Sequence, residues 1–368
     1  MGKGDMENPL KYFAELTDPR VERNREHLLE EILLIAIAAV LSGAESWNDI
    51  EDYGRAKQGW LKTFLRLPGG IPSHDTFNRV FQALDPEELE RGFAAWVREI
   101  AQLTAGAVVA IDGKTLRGTR QTGKPIVHMV SAWAESNNLV LAQRKVDDQS
   151  NEITAIPKLL GALELSGTVV TIDAIGCQRT LVEQIVNRKA DYVLAVKQNQ
   201  AHLLADVKDS FRMLAATALT EEVDCGHGRV ERRRCAVLDD LTLLDESAAW
   251  ASLHSLVRLE AERFHKATGA IERETRYYIS SLAPDAARLN RIIRQHWGIE
   301  NKLHWVLDVA FGEDHSRKRA GHAAQNFSLL NRIALNLLKQ ERESKRGIKG
   351  KRLNAAWNPD YLLKVLGI

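Results

Sequence analysis

The sequence of 368 residues predicts an α/β protein: a mixed sheet with flanking helices, preceded by an all-α region. Two observations support this prediction. Up to about residue 100, apolar residues recur with helical spacing. From residue 106 onward, short apolar runs rich in β-branched residues alternate with helical segments, which is typical of strands joined by helices. With 45% hydrophobic residues, the chain can bury a sizeable core.

The first hundred residues predict a helical bundle. The segment 27–43, HLLEEILLIAIAAVLSG, is apolar almost all round and should form its central helix. Its apolar run is too short to span a bilayer, and residues 1–16 lack the apolar core of a secretory signal, so we expect a cytoplasmic, nucleoid-associated protein and no membrane partner. Residues 73–83, SHDTFNRVFQA, resemble the start of a recognition helix in a helix-turn-helix, with one more bundle helix as an equally weighted alternative.

Five strands are predicted after residue 105. The first is AVVAID (107–112), and a hairpin follows, with a turn at residues 136–138. A helix, the strand TVVTID (168–173), a second helix and the strand beginning at residue 191 complete the series. Three strands with an antiparallel hairpin, then helix, strand, helix and strand, is the order of the ribonuclease H fold.

The chain then departs from a simple version of that fold. Residues of about 219–282 alternate polar and apolar side chains, which predicts a mostly β insertion with a hairpin tip at 267–270. We therefore divide the chain into a helical N-terminal domain (1–100), a ribonuclease H-like domain (105–340) that contains the insertion, and a basic C-terminal segment (341–368).

Three carboxylates are the candidate catalytic and metal-binding residues: Asp112, Asp173 and Glu300. Asp112 and Asp173 end two strands that the fold places side by side, and Glu300 lies in the helical stretch RIIRQHWGIENKLHWVLD. A carboxylate at the end of a buried strand costs free energy unless a cation or a donor satisfies it. Three of them can hold Mg²⁺, with Mn²⁺ as a substitute, for two-metal phosphodiester chemistry.

Two zinc alternatives carry less weight. A zinc hydrolase built on His296 and His304 would leave both strand-end aspartates idle, and the sequence lacks the HExxH order. Residues Cys225, His227 and Cys235 lack a fourth ligand at finger-like spacing. The three cysteines of the chain show no disulfide framework, which favours a reducing compartment.

Contacts with DNA must come from local charge, because 50 basic residues stand against 49 acidic ones. Basic clusters occur at 226–235, 314–322 and 339–352. The candidates nearest the predicted site are Lys114, Arg117, Arg120, Lys197, Gln200, Trp297 and Arg317. Trp297 could stack on a base, although core packing is the favoured interpretation for Trp297 and for Trp305.

The segments IDGKTLRG, TIDAIGCQ, DYVLAVKQNQ and HWGIENKLHWVLDVAFGEDHSR resemble those of DDE insertion-sequence transposases of the H-repeat-associated group. The resemblance covers residues 8–95 and 105–340. It implies that Asp112, Asp173 and Glu300 form the catalytic triad. It also implies cleavage at terminal inverted repeats of double-stranded DNA, transfer of the 3′-OH ends to target DNA with Mg²⁺, and a homodimer or larger assembly on paired ends.

The sequence departs from related transposases near the glutamate. His296 stands at the position where those proteins often have Arg, and Leu307 at the position of their Lys, so Arg294, Lys302 and Arg317 are the candidates to compensate. A catalytically dormant or domesticated DNA-binding protein, or a nuclease of the same fold, is the alternative function.

Overall fold

The structure, a computed structural model, describes residues 7–122, 125–147, 150–226 and 228–368. These residues contain nine strands of one sheet. Their bounds are β1 (Val108–Thr115), β2 (His128–Ala134), β3 (Leu139–Lys145), β4 (Val169–Ile172), β5 (Asp191–Val196), β6 (Ala218–Gly226), β7 (Arg229–Leu238), β8 (Ser255–His265) and β9 (Ile271–Ser280).

The sheet is mixed, as predicted, and its order is β3-β2-β1-β4-β5-β9-β8-β7-β6. Strand β1 pairs antiparallel with β2 and parallel with β4, and β4 pairs parallel with β5. The first five strands therefore have the ribonuclease H arrangement. The predicted turn at 136–138 joins β2 to β3, and Asn138 adopts the left-handed conformation that such a turn requires (φ 54°).

The inserted strands extend the same sheet. Strand β9 pairs antiparallel with β5, Val193 opposite Ser280, and β8, β7 and β6 follow outward. The predicted hairpin tip is confirmed, because β8 ends at His265 and β9 begins at Ile271. The insertion is therefore joined to the catalytic sheet by a continuous ladder of backbone hydrogen bonds.

Twelve α-helices lie in the part of the chain that the structure describes. They are α1 (Leu29–Leu41), α2 (Trp47–Leu61), α3 (His74–Ala83), α4 (Pro86–Ile100), α5 (Glu152–Gly161), α6 (Arg179–Asn187), α7 (Ala201–Met213), α8 (Ala286–His296), α9 (Trp305–Phe311), α10 (Ala323–Gln340), α11 (Ile348–Trp357) and α12 (Pro359–Leu366). A π-helical turn, Ile299–His304, stands between α8 and α9. None of these helices has the length and apolarity needed to cross a membrane.

The central strands are buried on both faces, which explains their nearly unbroken apolar runs. Val108, Val169 and Val193 face one side, where they form a cluster with Leu289 and Ile293 of α8. Their neighbours along the strands face the other side and join the main core, which also contains α5 and α6. Helix α8 leads to the π-helical turn, so this packing fixes where Glu300 meets the sheet.

The N-terminal helices pack on the catalytic region and share its main core. Helix α1 is buried along nearly its whole length and lies against α2 and α10. Helix α3 begins at the predicted N-cap Ser73, whose hydroxyl accepts a hydrogen bond from the Thr76 amide (3.3 Å). It buries one face against α2 and α10 and leaves Asp75 and Arg79 exposed. Bundle packing accounts for its buried face, and a recognition role stays a prediction.

The segment after residue 341 was expected only to be basic, but it forms α11 and α12. Arg352 of α11 is buried, and its guanidinium donates to the Val40 carbonyl (2.8 and 3.0 Å) and the Ala44 carbonyl (3.2 Å). These carbonyls lie at and just beyond the C-terminal end of α1, where helix carbonyls lack partners. This basic side chain therefore stabilises the fold and is withdrawn from solvent.

Candidate active site

The two strand-end aspartates lie on neighbouring strands, as the strand order predicts. Ile111 of β1 stands opposite Ile172 of β4, so Asp112 and Asp173 follow at the same level of the sheet, where adjacent strands are about 4.8 Å apart. Asp112 continues in β1, paired with β2, whereas Asp173 leaves the sheet and accepts a hydrogen bond from the Ala174 amide (2.7 Å).

Glu300 reaches the same place from the π-helical turn. Such turns insert one extra residue into a helix and occur frequently at functional sites. The turn packs closely on the chain after β2: a Cβ on Gly298 would lie 2.0 Å from Glu135 Oε2, so a larger residue there would displace the Glu135 carboxylate. Glu135 in turn pairs with Lys302 and accepts a hydrogen bond from Trp133 Nε1 (2.9 Å). These contacts anchor the turn that carries Glu300.

The three carboxylates line one cleft of about 700 Å³. Its walls come from β4, β5, the inserted strand β9 and the end of α8. Besides the carboxylates, its polar and aromatic lining includes Thr171, Lys197, Lys208, Arg276, Tyr278, His296 and Trp297. Acids at the floor and cations on the walls are the charge pattern that a phosphodiester with bound cations would match.

Mutual repulsion and burial perturb the acids of the cleft. Burial raises the pKa of Asp112 to about 7, although the Gly113 amide opposes it, and the nearby charges of Glu300, Glu152 and Asp173 add to the rise. Burial also raises the pKa of Glu300, with Asp173 adding to the rise and Arg276 opposing it. Perturbed carboxyls gathered in a cleft are typical of functional sites.

Asp173 behaves differently because it has a cation partner. Burial acts to raise its pKa, but the Ala174 amide and the Lys197 ammonium outweigh burial and leave the pKa below its ordinary value. Lys197 Nζ lies 3.0 Å from Asp173 Oδ1.

The donor set fits a divalent cation by its chemistry, since carboxylate oxygens are the ligands that Mg²⁺ and Mn²⁺ prefer. Within the described ranges, no three acidic, histidine or cysteine side chains are yet gathered closely enough to form a ready-made metal site. Asp173 turns toward Lys197 instead, so binding a cation at all three carboxylates requires side-chain rearrangement.

The two histidines beside Glu300 are neutral and engaged by different strands. His296 Nδ1 lies 2.9 Å from the Thr171 hydroxyl of β4, and burial lowers the pKa of His296 to about 4. His304 Nδ1 lies 3.5 Å from Asp112 Oδ2, and burial lowers the pKa of His304 to about 3. The zinc hydrolase alternative needs these rings to converge on one ion, and their contacts do not favour it.

The cysteine alternative also lacks support. Thr220 of β6 stands opposite Cys235 of β7, and Cys225 lies five residues further along β6, roughly 17 Å away along the strand. Cys235 is buried and Cys225 is exposed. His227 lies outside the described residues.

The candidate DNA-contact residues separate into two groups. Lys197 is 59% exposed at the rim of the cleft, and Arg117, Arg120 and Arg317 are exposed. Gln200 is half-buried and donates to the Cys177 carbonyl (2.8 Å). Lys114, by contrast, is buried between Asp308 (2.5 Å) and Asp314 (3.1 Å). A phosphate could reach Lys114 only by breaking both ion pairs, so we remove it from the candidate DNA surface.

The tryptophans also differ from each other. Trp297 lines the cleft, half-buried, with the Arg276 guanidinium 4.2 Å from its ring centroid. Trp305 is 61% exposed, so the favoured interpretation of core packing is wrong for that residue. Of the residues considered to compensate for His296 and Leu307, Arg294 pairs with Asp224 and Lys302 with Glu135.

Three residues of the site were missed from the sequence. Arg276 and Lys208 line the cleft from β9 and α7, and Glu152 adds its charge to Asp112 from the first turn of α5. The basic residues carry no local signal, because neither strand alternation nor helical spacing reveals which cleft a side chain enters. Glu152 does carry a local signal, because it is an acid in the first turn of the helix that follows β3.

The fold, with its acidic cleft, defines a class of protein, the ribonuclease H-like proteins. The chain belongs to the DDE transposase family: residues 104–337 match the family described as "Transposase DDE domain". Residues 10–97 match the region described as "DDE_Tnp_1-associated".

Among its relatives is the "Putative transposase YncI" of Escherichia coli O157:H7, 40% identical over 97% of this chain and 94% of that protein. Another is the "H repeat-associated putative transposase YhhI" of Escherichia coli K12, 37% identical over 98% of both chains. Among solved structures, the piggyBac transposase synaptic complex with hairpin DNA aligns with a TM-score of 0.43 and 14% identity, over 94% of this chain and 75% of that one.

Proposed function

We propose that this protein cleaves the ends of an insertion sequence at its terminal inverted repeats and joins the 3′-OH ends to target DNA. One observation supports the proposal above the others. Carboxylates from β1, β4 and the π-helical turn line a single cleft, and Lys197, Lys208 and Arg276 stand on its walls.

The carboxylates of Asp112, Asp173 and Glu300 would hold Mg²⁺, with Mn²⁺ as a substitute. Bound divalent cations would supply an activated nucleophile and stabilisation of the departing oxygen. The cations on the cleft walls face the phosphates on either side of the scissile bond. His304 stands beside the Asp112 carboxylate, with its Nδ1 3.5 Å from Asp112 Oδ2, and burial lowers the pKa of His304.

Neither chemical step needs an added energy source, because cleavage hydrolyses one phosphodiester bond and joining exchanges one phosphodiester bond for another. In cleavage, a water oxygen bonds to phosphorus and the 3′ oxygen departs with a proton. In joining, that 3′ oxygen bonds to a target phosphorus while the target strand releases its own 3′ oxygen. No oxidant, reductant or nucleotide is consumed.

The DNA surface in this proposal consists of four exposed basic residues, Arg117, Arg120, Arg317 and Lys197, together with the half-buried Gln200 and Trp297. The helical N-terminal region would bind the repeat. A homodimer or larger assembly would form when two ends are paired, since each chain contains one acidic cleft in its described residues.

Cleavage of a labelled duplex that carries the repeat and its flank tests the proposal. We expect nicking at the repeat boundary with Mg²⁺, no nicking with EDTA, and loss of nicking in Glu300→Gln. The matched control is Glu183→Gln, on the exposed face of α6, which should cut like the wild type. Binding without cutting in Mg²⁺ and in Mn²⁺ would instead support a dormant DNA-binding protein, and cutting without joining would support a nuclease.

A further inference from the structure

A fourth carboxylate, that of Glu152, stands beside the triad. Helix α5 begins at Glu152, with Asn151 as its N-cap accepting from the Ile153 amide (3.1 Å). The Glu152 carboxylate lies directly over Gly113, the residue after Asp112: a Cβ on Gly113 would fall 1.9 Å from Glu152 Oε1. The local packing therefore brings this acid to the acidic end of β1.

Glu152 differs from the acids of this fold that have a hydrogen-bond or ion-pair partner. The described residues donate it no hydrogen bond and form no ion pair with it, whereas several other half-buried or buried acids are paired. Glu51 binds His74, Glu231 binds Arg263 and Glu313 binds Arg332. A helix N-terminus normally favours a carboxylate, yet burial raises the pKa of Glu152; the charge of His128 opposes the rise and that of Asp173 adds to it.

An unpaired, partly buried acid next to other acids destabilises the folded chain. The cost is offset if a cation binds there, since one divalent ion would relieve the repulsion among all the carboxylates at once.

Two other surfaces of the protein offer less evidence of a ligand. The basic groove between β6–β7 and α8 has most of its cations already paired. Trp305 and Trp357 are exposed, and nothing in the structure identifies a partner that would cover them.

We infer that Glu152 is a fourth acidic residue of the divalent-cation site, and that glycine at position 113 makes room for its carboxylate. The inference rests on the proposed function, because it assigns Glu152 to the cation that the triad would bind. It goes beyond the triad by giving helix α5 a part in holding that cation.

Calorimetric titration of the full chain with Mn²⁺ tests the inference without relying on activity. Glu152→Gln keeps the shape of the side chain and should weaken Mn²⁺ binding by about tenfold or more. The control Glu183→Gln should bind like the wild type. In EDTA, Glu152→Gln should unfold at a higher temperature than the wild type because a repelling charge is gone, and added Mn²⁺ should raise that temperature less.

Gly113→Ala provides a second test that leaves every carboxylate in the chain. Its methyl group would displace the flexible end of Glu152, so it should weaken Mn²⁺ binding as Glu152→Gln does. The double variant should show no further loss, because both changes act on one contact.

The outcomes separate the two proposals. If the wild type cuts the repeat duplex while Glu152→Gln binds Mn²⁺ as tightly as Glu183→Gln, the inference about Glu152 falls and the proposed function stands. If the wild type neither binds Mn²⁺ nor cuts, the proposed function itself is overturned. Tenfold weaker binding in Glu152→Gln, beside a wild type that cuts, supports both.

Discussion

Two groups of acids lie near strand β1, and they differ in whether basic side chains pair with them. Asp112 lines the cleft and Glu152 stands beside it; the charges of other carboxylates act on both, and neither has an ion pair with Lys or Arg among the described residues. Behind the cleft, Asp308 and Asp314 hold Lys114 between them, and Glu313 lies 2.9 Å from Arg332, which is fully buried. The residue types are the same, but only the second group is paired with buried basic side chains.

The contrast separates acids that we propose for catalysis from acids that stabilise the fold. A buried charge that is paired and hydrogen-bonded contributes to one fixed arrangement, here of β1 against α9 and of β2 against α10. A set of unpaired acids lowers stability and is retained where function requires it. The difference yields four predictions, from the largest effect to the smallest.

Asp112→Asn should abolish cleavage, with a loss of at least about a hundredfold in rate. The variant loses a carboxylate that would bind the cation, and with it several kcal/mol of transition-state stabilisation. Binding of the repeat duplex should remain close to that of the wild type, as measured by electrophoretic mobility shift. If binding and the folded circular dichroism spectrum are lost together, Asp112 belongs with the supporting acids, and the comparison fails.

Lys114→Met should lower the free energy of unfolding by about 3 kcal/mol, because it leaves Asp308 and Asp314 without their shared cation in a largely buried setting. Chemical denaturation measures this change. Arg117→Ala is the matched control, since Arg117 also faces Asp314 (3.5 Å) but is 81% exposed. Its loss should be below about 1 kcal/mol. Equal effects in the two variants would contradict the buried role of Lys114.

Glu90 tests whether a partner is enough to balance a buried acid. Glu90 lies 3.1 Å from Arg144 and accepts from Gln325, yet burial raises the pKa of Glu90 to about 7. The folded chain then binds the proton more tightly than the unfolded chain, so stability should fall by about 3 kcal/mol as pH rises from about 4.5 to 8 and level off above. Glu90→Gln should remove that part of the pH dependence, and an unchanged unfolding curve from pH 4.5 to 8 would refute the assignment.

Arg317→Ala should weaken binding of the repeat duplex modestly and reduce the slope of log affinity against log salt by about one unit, because one phosphate contact is lost. Arg317 is exposed, so stability should not change. Fluorescence anisotropy between 50 and 200 mM salt measures the slope. A slope equal to that of the wild type would place Arg317 outside the DNA surface.

The strand core and the triad could be predicted because their signals are local. Apolar β-branched runs that end in aspartate mark β1 and β4, and the strand order then makes Asp112 and Asp173 neighbours. Helix α7 was missed because only Lys197 and the short 3-10 turn Gln198–Gln200 separate its thirteen residues from β5, without a side-chain N-cap. The roles of the triad residues remain predictions until cleavage is measured.

The errors have a common physical cause. Lys114 and Arg352 were expected at the surface because Lys and Arg are rarely fully buried. Both are buried in this fold, since two aspartates surround one and the carbonyls at the end of α1 satisfy the other. These partners lie 194 and 312 residues away in the chain. No local pattern in the sequence reveals such pairs.

The direct pairing of β9 with β5 also has a practical consequence for anyone who seeks a smaller version of this protein. Deleting residues 218–280 would leave β5 with a bare row of amide and carbonyl groups beside the cleft, which is a template for aggregation. Growth at the opposite end is different. Strands added outside β6 would widen the sheet without shifting Ile111 relative to Ile172. The number of strands can therefore change while the acids keep their places.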